Sequence, residues 1–553
     1  MFLLVRRLAD GDVELTTWRR PGPDQALSRD GVEVVADGDL VEAVRRRESG
    51  PEGAAGPRWV WDDTPRWYPR LLEAGVRVAR CVDLRLCHAL LRAAVATTGS
   101  ELHGAPRGPW DVPQGADGPR DGLFDVLPES LPDPAGEFLR QRAAIESSPE
   151  RARLELLTTA ESTGALIAVE MRHHGVPWSA TVHDRLLSEA LGPRPVPGER
   201  PALMRDDLDE VRRRLDAPDL NPDSPAELVR ALNSAGVFVT STTKWELERH
   251  DHPAVEPLLR YKKRQRLLVA NGWSWLDAWV RDGRFRPDYV PAGSVTGRWA
   301  TSGGGALQLP RAVRAAVVAD PGWKLVVADA SQLEPRILTG LSGDHAMAAA
   351  GEGDLYEGIV ASGAVASRAE AKVAMLGAMY GATQGESGRL VPRLARRFPQ
   401  AMALVETAAR TGEQGGVVRT LLGRTSPSPA DAAAADELPP EMPRAEVGRD
   451  ARSWGRFTRN FVVQGTAAEW ALCWLGAFRQ ALHERFGDRG DDAPHLTFFL
   501  HDEVVVHAPA DTADAVAQLV VEAAAAAGRM LFGDAPVRFP LTVAVVDDYA
   551  QAK

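Results

Sequence analysis

A chain of 553 residues, 44% of them hydrophobic, predicts several domains with sizeable cores. Its 65 basic and 76 acidic side chains leave a net charge of -11 and a pI near 5.7, which argues against a surface that binds nucleic acid uniformly but leaves room for a local basic cleft. Cys81, Cys87 and Cys473 are scattered without metal-ligand spacing, so a reduced, cytoplasmic protein without disulfides is expected.

Met1 to Val5 is apolar but stops at Arg6-Arg7, too short for a signal peptide, and no charge-free run elsewhere is long enough to span a bilayer. Residues 1 to about 96 alternate short strands (Phe2 to Val5, Val32 to Val35, Trp59 to Trp61, Val76 to Ala79) with helical pieces (Leu40 to Arg47, Tyr68 to Ala74, Leu84 to Ala94), the pattern of a small α/β domain. Gly104 to Gly136, rich in Gly, Pro and Asp, reads as a loop or linker. The pattern turns helical from Glu150 to Leu191. Asn221 or Asp223 is placed to cap a helix that begins near Ala226. Leu259 to Trp279 reads as one helix carrying Arg260, Lys262, Lys263, Arg264 and Arg266, either a solvated face or a phosphate track.

Leu325 to Ala328 is an apolar run too short for a typical helix that ends in Asp329, the pattern of a buried strand presenting a carboxylate. Ser331 as cap, Glu334 three places on and Pro335 in a first turn then start a helix. That geometry seats a hard cation, although an Asp at such a turn also serves simply as a cap. From Arg368 to Tyr380, the side chains Arg368, Lys372, Leu376 and Tyr380 recur every fourth residue, roughly on one helix face about 18 Å long. Two cations, an apolar group and a ring suit the phosphates and base of a nucleoside triphosphate. Pro427 to Pro443 reads as a flexible loop. Phe498 to His507 places His501, Asp502 and Glu503 at the tip of a hydrophobic hairpin.

These blocks, in this order, resemble motifs A, B and C of the family A DNA polymerases. Asp329-Ala330-Ser331-Gln332-Leu333-Glu334-Pro335-Arg336 is similar to D-Y-S-Q-I-E-L-R. Arg368 to Gly381 is similar to R-x3-K-x3-(F/Y)-G-x2-Y-G except at Leu376, and His501-Asp502-Glu503 is similar to motif C. Thr296-Gly297-Arg298-Trp299 with Leu307-Gln308-Leu309-Pro310 resembles T-G-R-L and L-Q-N-I-P, and Arg456, Asn460 and Gln464 to Ala468 resemble R-x3-N-x3-Q-G-T-A-A. Glu161 to Trp178 and Leu220 to Ser224 resemble segments that open the family's polymerase portion and precede a thumb helix.

The resemblance implies an α+β right-hand polymerase that adds dNTPs to a primer 3′ end in DNA replication or repair. It places the thumb at 151–290, the palm at 291–350 and 445–553, and the fingers at 351–444. Residues 1–150 would be a linker and a small α/β, ribonuclease-H-like domain similar to a degenerate 3′-5′ exonuclease, with no 5′-nuclease domain ahead of it. Two Mg²⁺ ions, with Mn²⁺ able to substitute, would be held by Asp329, Asp502 and the Ala330 carbonyl. Glu503 belongs to the same catalytic motif. Arg368 and Lys372 would face the triphosphate near Gln332, with Lys372 as proton donor to pyrophosphate. Glu334 would exclude a ribose 2′-hydroxyl, Leu376 would lie beside the sugar, and Tyr380 would close over the templating pair. Arg298, Arg456, Asn460, Gln464 and His501 would contact primer-template DNA, reading groove acceptors common to all pairs.

The family's phosphate-contacting His stands here as Tyr356, and no D-x-E or Y-x3-D metal pattern remains before Glu161, Trp67 standing where an Asp is expected. Asp62, Asp63 and Asp83 then read as caps and turn residues, and the exonuclease-like domain as inactive. A monomer is expected. The alternatives are a catalytically silent DNA-binding protein that kept the fold, disfavoured by the retained Asp329, Asp502, Arg368, Lys372 and Gln332, and a single-subunit RNA polymerase, disfavoured by Glu334.

Overall fold

The computed structural model describes residues 1–20, 25–50, 56–111, 133–382, 385–430 and 451–552. They form two compact units. One comprises Met1–His174, Asp288–Gly303 and Val326–Val545, and the other Gly175–Pro287, Gly304–Leu325 and Val546 onward.

The first unit opens with β1 (Phe2–Arg7), β2 (Val13–Arg19), β3 (Ser28–Val35), α1 (Leu40–Glu48), β4 (Arg58–Trp61), α2 (Thr64–Glu73), β5 (Cys81–Asp83) and α3 (Leu84–Ala93). The sheet runs β3-β2-β1-β4-β5, with β1 to β3 an antiparallel meander and β4 and β5 parallel to it. Two details depart from the sequence reading. Val13–Arg19 is an additional strand. The last strand is Cys81–Asp83 rather than Val76 to Ala79, because Gly75 takes a left-handed φ of 69° and the Val76 amide turns back to the Leu71 carbonyl (2.8 Å) to close α2. Of the expected linker, residues 112–132 lie outside the described residues, while α4 (Pro134–Glu146) is already helical, its N-terminus capped by Asp133. Helix α5 (Arg151–His174) follows.

The second unit contains β6 (Val176–Pro177), α6 (Ala180–Leu191), α7 (Ala202–Arg214), α8 (Pro225–Ser234), α9 (Lys244–Leu247), α10 (Val255–Asn271), α11 (Trp273–Trp279), β7 (Val280–Arg281) and β8 (Arg284–Phe285). Ser224, not Asn221 or Asp223, caps α8, its hydroxyl accepting from the Glu227 amide. The expected single helix from Leu259 to Trp279 is two, parted at Gly272, whose backbone is extended and where a Cβ would lie 2.3 Å from the Leu268 carbonyl oxygen. Three cations of its basic run are engaged within the protein: Arg260 and Arg264 pair with Asp207, and Lys262 donates to Thr242.

The chain returns to the first unit with β9 (Asp288–Val290), β10 (Ala300–Gly303), β11 (Trp323–Ala330), α12 (Leu333–Ser342), α13 (His345–Ala350), α14 (Leu355–Ala361), α15 (Arg368–Tyr380), α16 (Gly385–Arg397), α17 (Pro399–Glu413), α18 (Ala451–Phe486), β12 (His495–Leu500), β13 (Glu503–Pro509), α19 (Ala513–Phe532) and β14 (Leu541–Val546). A four-stranded sheet, β12-β13-β11-β14, packs with these helices around one large core. Residues 431–443 of the expected loop lie outside the described residues. Although it is not charge-free, carrying Asp514, Glu522 and Arg529, α19 is long and apolar enough by length and composition to cross a membrane. Its Val516, Val520, Ala524 and Ala527 are built into the core, and Trp474 of α18 donates to the Val520 carbonyl (3.0 Å).

Candidate active site

Strand β11 runs through the sheet interior, buried from Leu325 to Ala328, and leaves Asp329 half-buried at its end. The turn that follows differs from the predicted capping box. Gln332 precedes the helix in the left-handed region (φ 53°), and no side chain caps it. The Ser331 hydroxyl lies 3.1 Å from that of Thr542, and Glu334 is taken up by Arg298 and by the Tyr380 hydroxyl (3.2 Å). Pro335 occupies the first turn as expected. Arg336, 2% exposed, pins the turn by donating to the carbonyls of Ser331 (3.0 Å), Gly351 (2.7 Å) and Arg538 (3.1 Å) and to the Gln332 side chain (3.1 Å). It entered the sequence reading only as a letter of the motif.

The hairpin β12–β13 turns through His501 (φ 57°) and Asp502, with Leu500 opposite Glu503. The Ala330 amide donates to the Asp502 carbonyl (2.8 Å), so the hairpin tip is bonded to the end of β11 and the two aspartates become neighbours. Burial first, and then the charge of Asp329, push the Asp502 carboxyl up to about 6 against the pull of Arg298. Burial and Arg298 push His501 down to about 4, leaving it a neutral imidazole. Glu503 is buried at the first position of β13. Tyr289, which the sequence reading missed, holds the hairpin in place: its hydroxyl donates to the Phe499 carbonyl (3.0 Å) and accepts from the Phe499 amide (3.2 Å), next to a bulge in β12. Trp299 packs against both rings.

Helix α15 starts with reciprocal caps, Ser367 accepting from the Glu370 amide (3.2 Å) and Glu370 from the Ala366 amide (2.7 Å). It ends at Gly381 (φ 71°), where a Cβ would stand 2.8 Å from Arg456 Cγ. Arg368, Lys372, Leu376 and Tyr380 are its exposed row, while Ala371, Ala374, Met375, Ala378 and Met379 are buried behind them. Arg368 donates to Asp354 (2.9 Å) and lies over the Tyr356 ring at 5.4 Å, so Tyr356 supplies a face for the cation. Gln332 donates to the same Asp354 carboxylate (3.1 Å). Burial acts to raise Asp354, but Arg368 and nearby helix amides outweigh it and hold the group below its ordinary range. Asp354, which the sequence analysis did not single out, also caps α14 by accepting from the Glu357 amide (3.0 Å).

A cavity of 310 Å³ gathers Arg298, Gln332, Glu334, Leu376, His501 and Asp502, with Tyr356 and Trp299 in its wall. Tyr380 reaches it through Glu334, and burial with the Glu334 charge pushes its phenol up to about 12. Asp329, Arg368, Lys372, Glu503, Arg456, Asn460 and Gln464 are outside the cavity wall. On α18, Arg456 donates to Ser453 (2.8 Å), whereas buried side-chain oxygens of Asn460 and Gln464 have no hydrogen-bond partner among the described residues. Among the described residues no group of three or more His, Cys, Asp or Glu is placed to hold a metal. The pair Asp329 and Asp502 still suits a divalent cation, because one carboxylate already disfavours ionisation of the other.

DNA polymerase I of Chloroflexus aurantiacus is 28% identical over 337 residues, 54% of this chain and 33% of that one. The thermostable DNA polymerase I of Thermus thermophilus is 30% identical over 348 residues, 57% and 38%. The chain thus spans about a third of the length of the curated relatives it matches. The POL domain of Pol1 from M. smegmatis, solved in complex with DNA primer-template and dNTP, superposes with a TM-score of 0.68 at 19% identity, covering 98% of this chain and 93% of that one, and so shares its fold. The profile of DNA polymerase family A matches residues 219–547, more than half of the chain and all three of its motif-bearing segments, and the chain belongs to that family.

Proposed function

We propose that this chain is a template-directed DNA polymerase that adds dNTPs to a primer 3′ end, acting as a cytoplasmic monomer in DNA replication or repair. The observation that carries the reading is the bond from Ala330 to Asp502, which sets two carboxylates side by side, Asp502 in the wall of a cavity that Leu376 of the Arg368-to-Tyr380 row also lines. Mg²⁺ would be held by Asp329, Asp502 and the Ala330 carbonyl, and when bound it supplies charge to activate the primer hydroxyl and hold the triphosphate. The chain's own residues do the rest. Arg368, fixed by Asp354 and Tyr356, and the exposed Lys372 bind the phosphates, with Lys372 donating the proton to the leaving pyrophosphate. Glu334, clamped between Arg298 and Tyr380, meets the sugar where a 2′-hydroxyl would point. Neutral His501, with Arg456, Asn460 and Gln464, offers hydrogen bonds to the minor groove. Palm (291–350 and 445–553), fingers (351–444) and thumb (151–290) follow from the same reading.

Residues 1–150 are read as an exonuclease-like domain that does not proofread. Two of its acids, Asp62 and Asp83, are spent locally, whereas a buried oxygen of Asp63 has no hydrogen-bond partner among the described residues. Asp62 accepts from Trp67 (2.5 Å) and Arg66 (2.7 Å), and Asp83 from the Thr64 amide (2.8 Å), the Thr64 hydroxyl (2.7 Å) and the Leu86 amide (3.0 Å). Burial and then the charges of Asp83 and Asp62 push the Asp63 carboxyl well above its ordinary range. Primer extension with Mg²⁺ and either dNTPs or NTPs tests the function. Extension with dNTPs alone is expected; none with either would mean a silent DNA-binding protein, and extension with NTPs an RNA polymerase.

A further inference from the structure

Arg298 clamps Glu334, and the backbone that carries Arg298 is a tight turn. The Gly297 amide donates to the Ser294 carbonyl (2.9 Å) and the Ser294 amide to the Arg298 carbonyl (3.1 Å), with Gly297 in the left-handed region at φ 85°. Two neighbours crowd this turn. A Cβ on Gly465 of α18 would lie 3.3 Å from the Thr296 carbonyl oxygen and 2.5 Å from Thr420 Cγ2. A Cβ on Gly297 itself would stand 2.6 to 2.8 Å from Nε, Cζ and Nη2 of Arg424, so the guanidinium fills the space that a side chain would take.

Arg424 is 8% exposed and is fixed at both ends. Its Nη2 donates to the fully buried Glu161 of α5. Its backbone closes a turn in which the Thr420 amide donates to the Arg424 carbonyl (2.9 Å), and α18 holds that turn: Thr466 accepts from the Leu421 amide (3.2 Å), and Glu469 accepts from the Leu422 amide (3.0 Å) and the Thr420 hydroxyl. Burial raises the Glu161 and Glu469 carboxyls, Glu469 to about 7, and the Arg424 charge opposes it at both. An apolar side chain of similar volume would stabilise such a core as well or better. What the guanidinium supplies here is a flat group, anchored at its far end, set against a residue that has no side chain.

We propose that Arg424 is a positioning residue for sugar selection: packed on Gly297, it fixes the turn that aims Arg298 at Glu334. Gly297, Arg298 and Glu334 all line the cavity at Asp502, whereas Arg424 is not in its wall and acts through them. This rests on the polymerase reading of that cavity.

Single-nucleotide incorporation kinetics test it, read as the ratio of kcat/KM for a dNTP to that for the matching NTP. A loss of folded or active protein scales both values alike and cancels in the ratio, so a merely structural role leaves it unmoved. Arg424→Lys keeps a cation for Glu161 but not the flat contact with Gly297, and should narrow the ratio roughly tenfold. In an Arg298→Met background, which removes the group through which Arg424 acts, Arg424→Lys should narrow it no further. Should Arg424→Lys fail to fold, Arg424→Met/Glu161→Gln, which leaves neither charge of the pair buried, carries the same two measurements. An unaltered ratio in the folded variant, or an equal narrowing with and without Arg298, overturns the proposal and leaves the polymerase reading standing. Incorporation of neither substrate by the unaltered chain overturns both.

Discussion

Replacing Arg479 with Met removes the cation from a buried cluster that ties α18 to α5 and to the N-terminal layer. Arg479 donates to both oxygens of Glu170 (2.6 and 2.8 Å) and to the carbonyls of Val78 (2.5 Å) and Ala79 (2.9 Å), while Glu170 also accepts from the Tyr68 hydroxyl (2.5 Å). Burial alone would raise the Glu170 carboxyl; the charge and hydrogen bonds of Arg479, helped by Arg77 and Tyr68, outweigh it and hold the group at about 2. A carboxyl that falls from 4.5 to about 2 on folding contributes roughly 3 kcal/mol at neutral pH. That agrees with the ~3–5 kcal/mol lost when one partner of a buried pair is deleted. The folded-state pKa is depressed, so this stability is fully present above pH 4.5 and is lost as pH falls toward 2. Arg479→Met should therefore cost ~3–5 kcal/mol at pH 7, with a smaller gap to wild type at pH 3. Glu170→Gln/Arg479→Met should recover most of the loss, since neither charge is then buried. Denaturant titrations followed by tryptophan fluorescence at both pH values give these differences. A single variant within about 1 kcal/mol of wild type at pH 7, or a double variant no more stable than the single one, would refute the reasoning.

Glu334→Ala should admit ribonucleotides, narrowing the dNTP-to-NTP incorporation ratio by roughly 10–100-fold, and Leu376→Tyr should alter the ratio of deoxy to dideoxy incorporation; single-nucleotide kinetics with unchanged ratios in both would sink the sugar gate. Tyr289→Phe removes the hydroxyl bridging Phe499, at about 1–2 kcal/mol, and should lower kcat about tenfold with duplex affinity unchanged, whereas an unaltered kcat would mean that the bulge holds without it. A mismatched, end-labelled primer incubated with Mg²⁺ or Mn²⁺ and no dNTPs should stay intact; shortening that survives Asp329→Ala and is lost on deleting residues 1–140 would show an active exonuclease.

The parts of this site that could be read from sequence are those whose geometry is local. The fourfold spacing from Arg368 to Tyr380 needs only a helix to become an exposed row, and Leu325 to Ala328 needs only a sheet interior to deliver Asp329. What escaped depends on partners distant in the chain. Ser331 fits a capping box, yet Thr542 and the left-handed Gln332 decide otherwise, and Glu334 is drawn away by Arg298 and Tyr380. The break falls where the Gly272 backbone turns extended so close to the Leu268 carbonyl that no Cβ would fit, in a stretch whose periodicity continues across it. Tyr289 and Arg479 act on residues more than 200 positions away, Phe499 and Glu170, and no local pattern marks them.

The central claim is that Asp329 and Asp502 act in the chemical step and not in holding DNA. Single-turnover incorporation of the next correct dNTP in Mg²⁺, measured alongside primer-template affinity, addresses it directly for Asp329→Asn and Asp502→Asn. Both variants should bind the duplex within about twofold of wild type while incorporation falls by at least about a thousandfold. Substantial Mg²⁺-dependent incorporation by both variants, or loss of incorporation that merely tracks loss of DNA binding, would contradict the account.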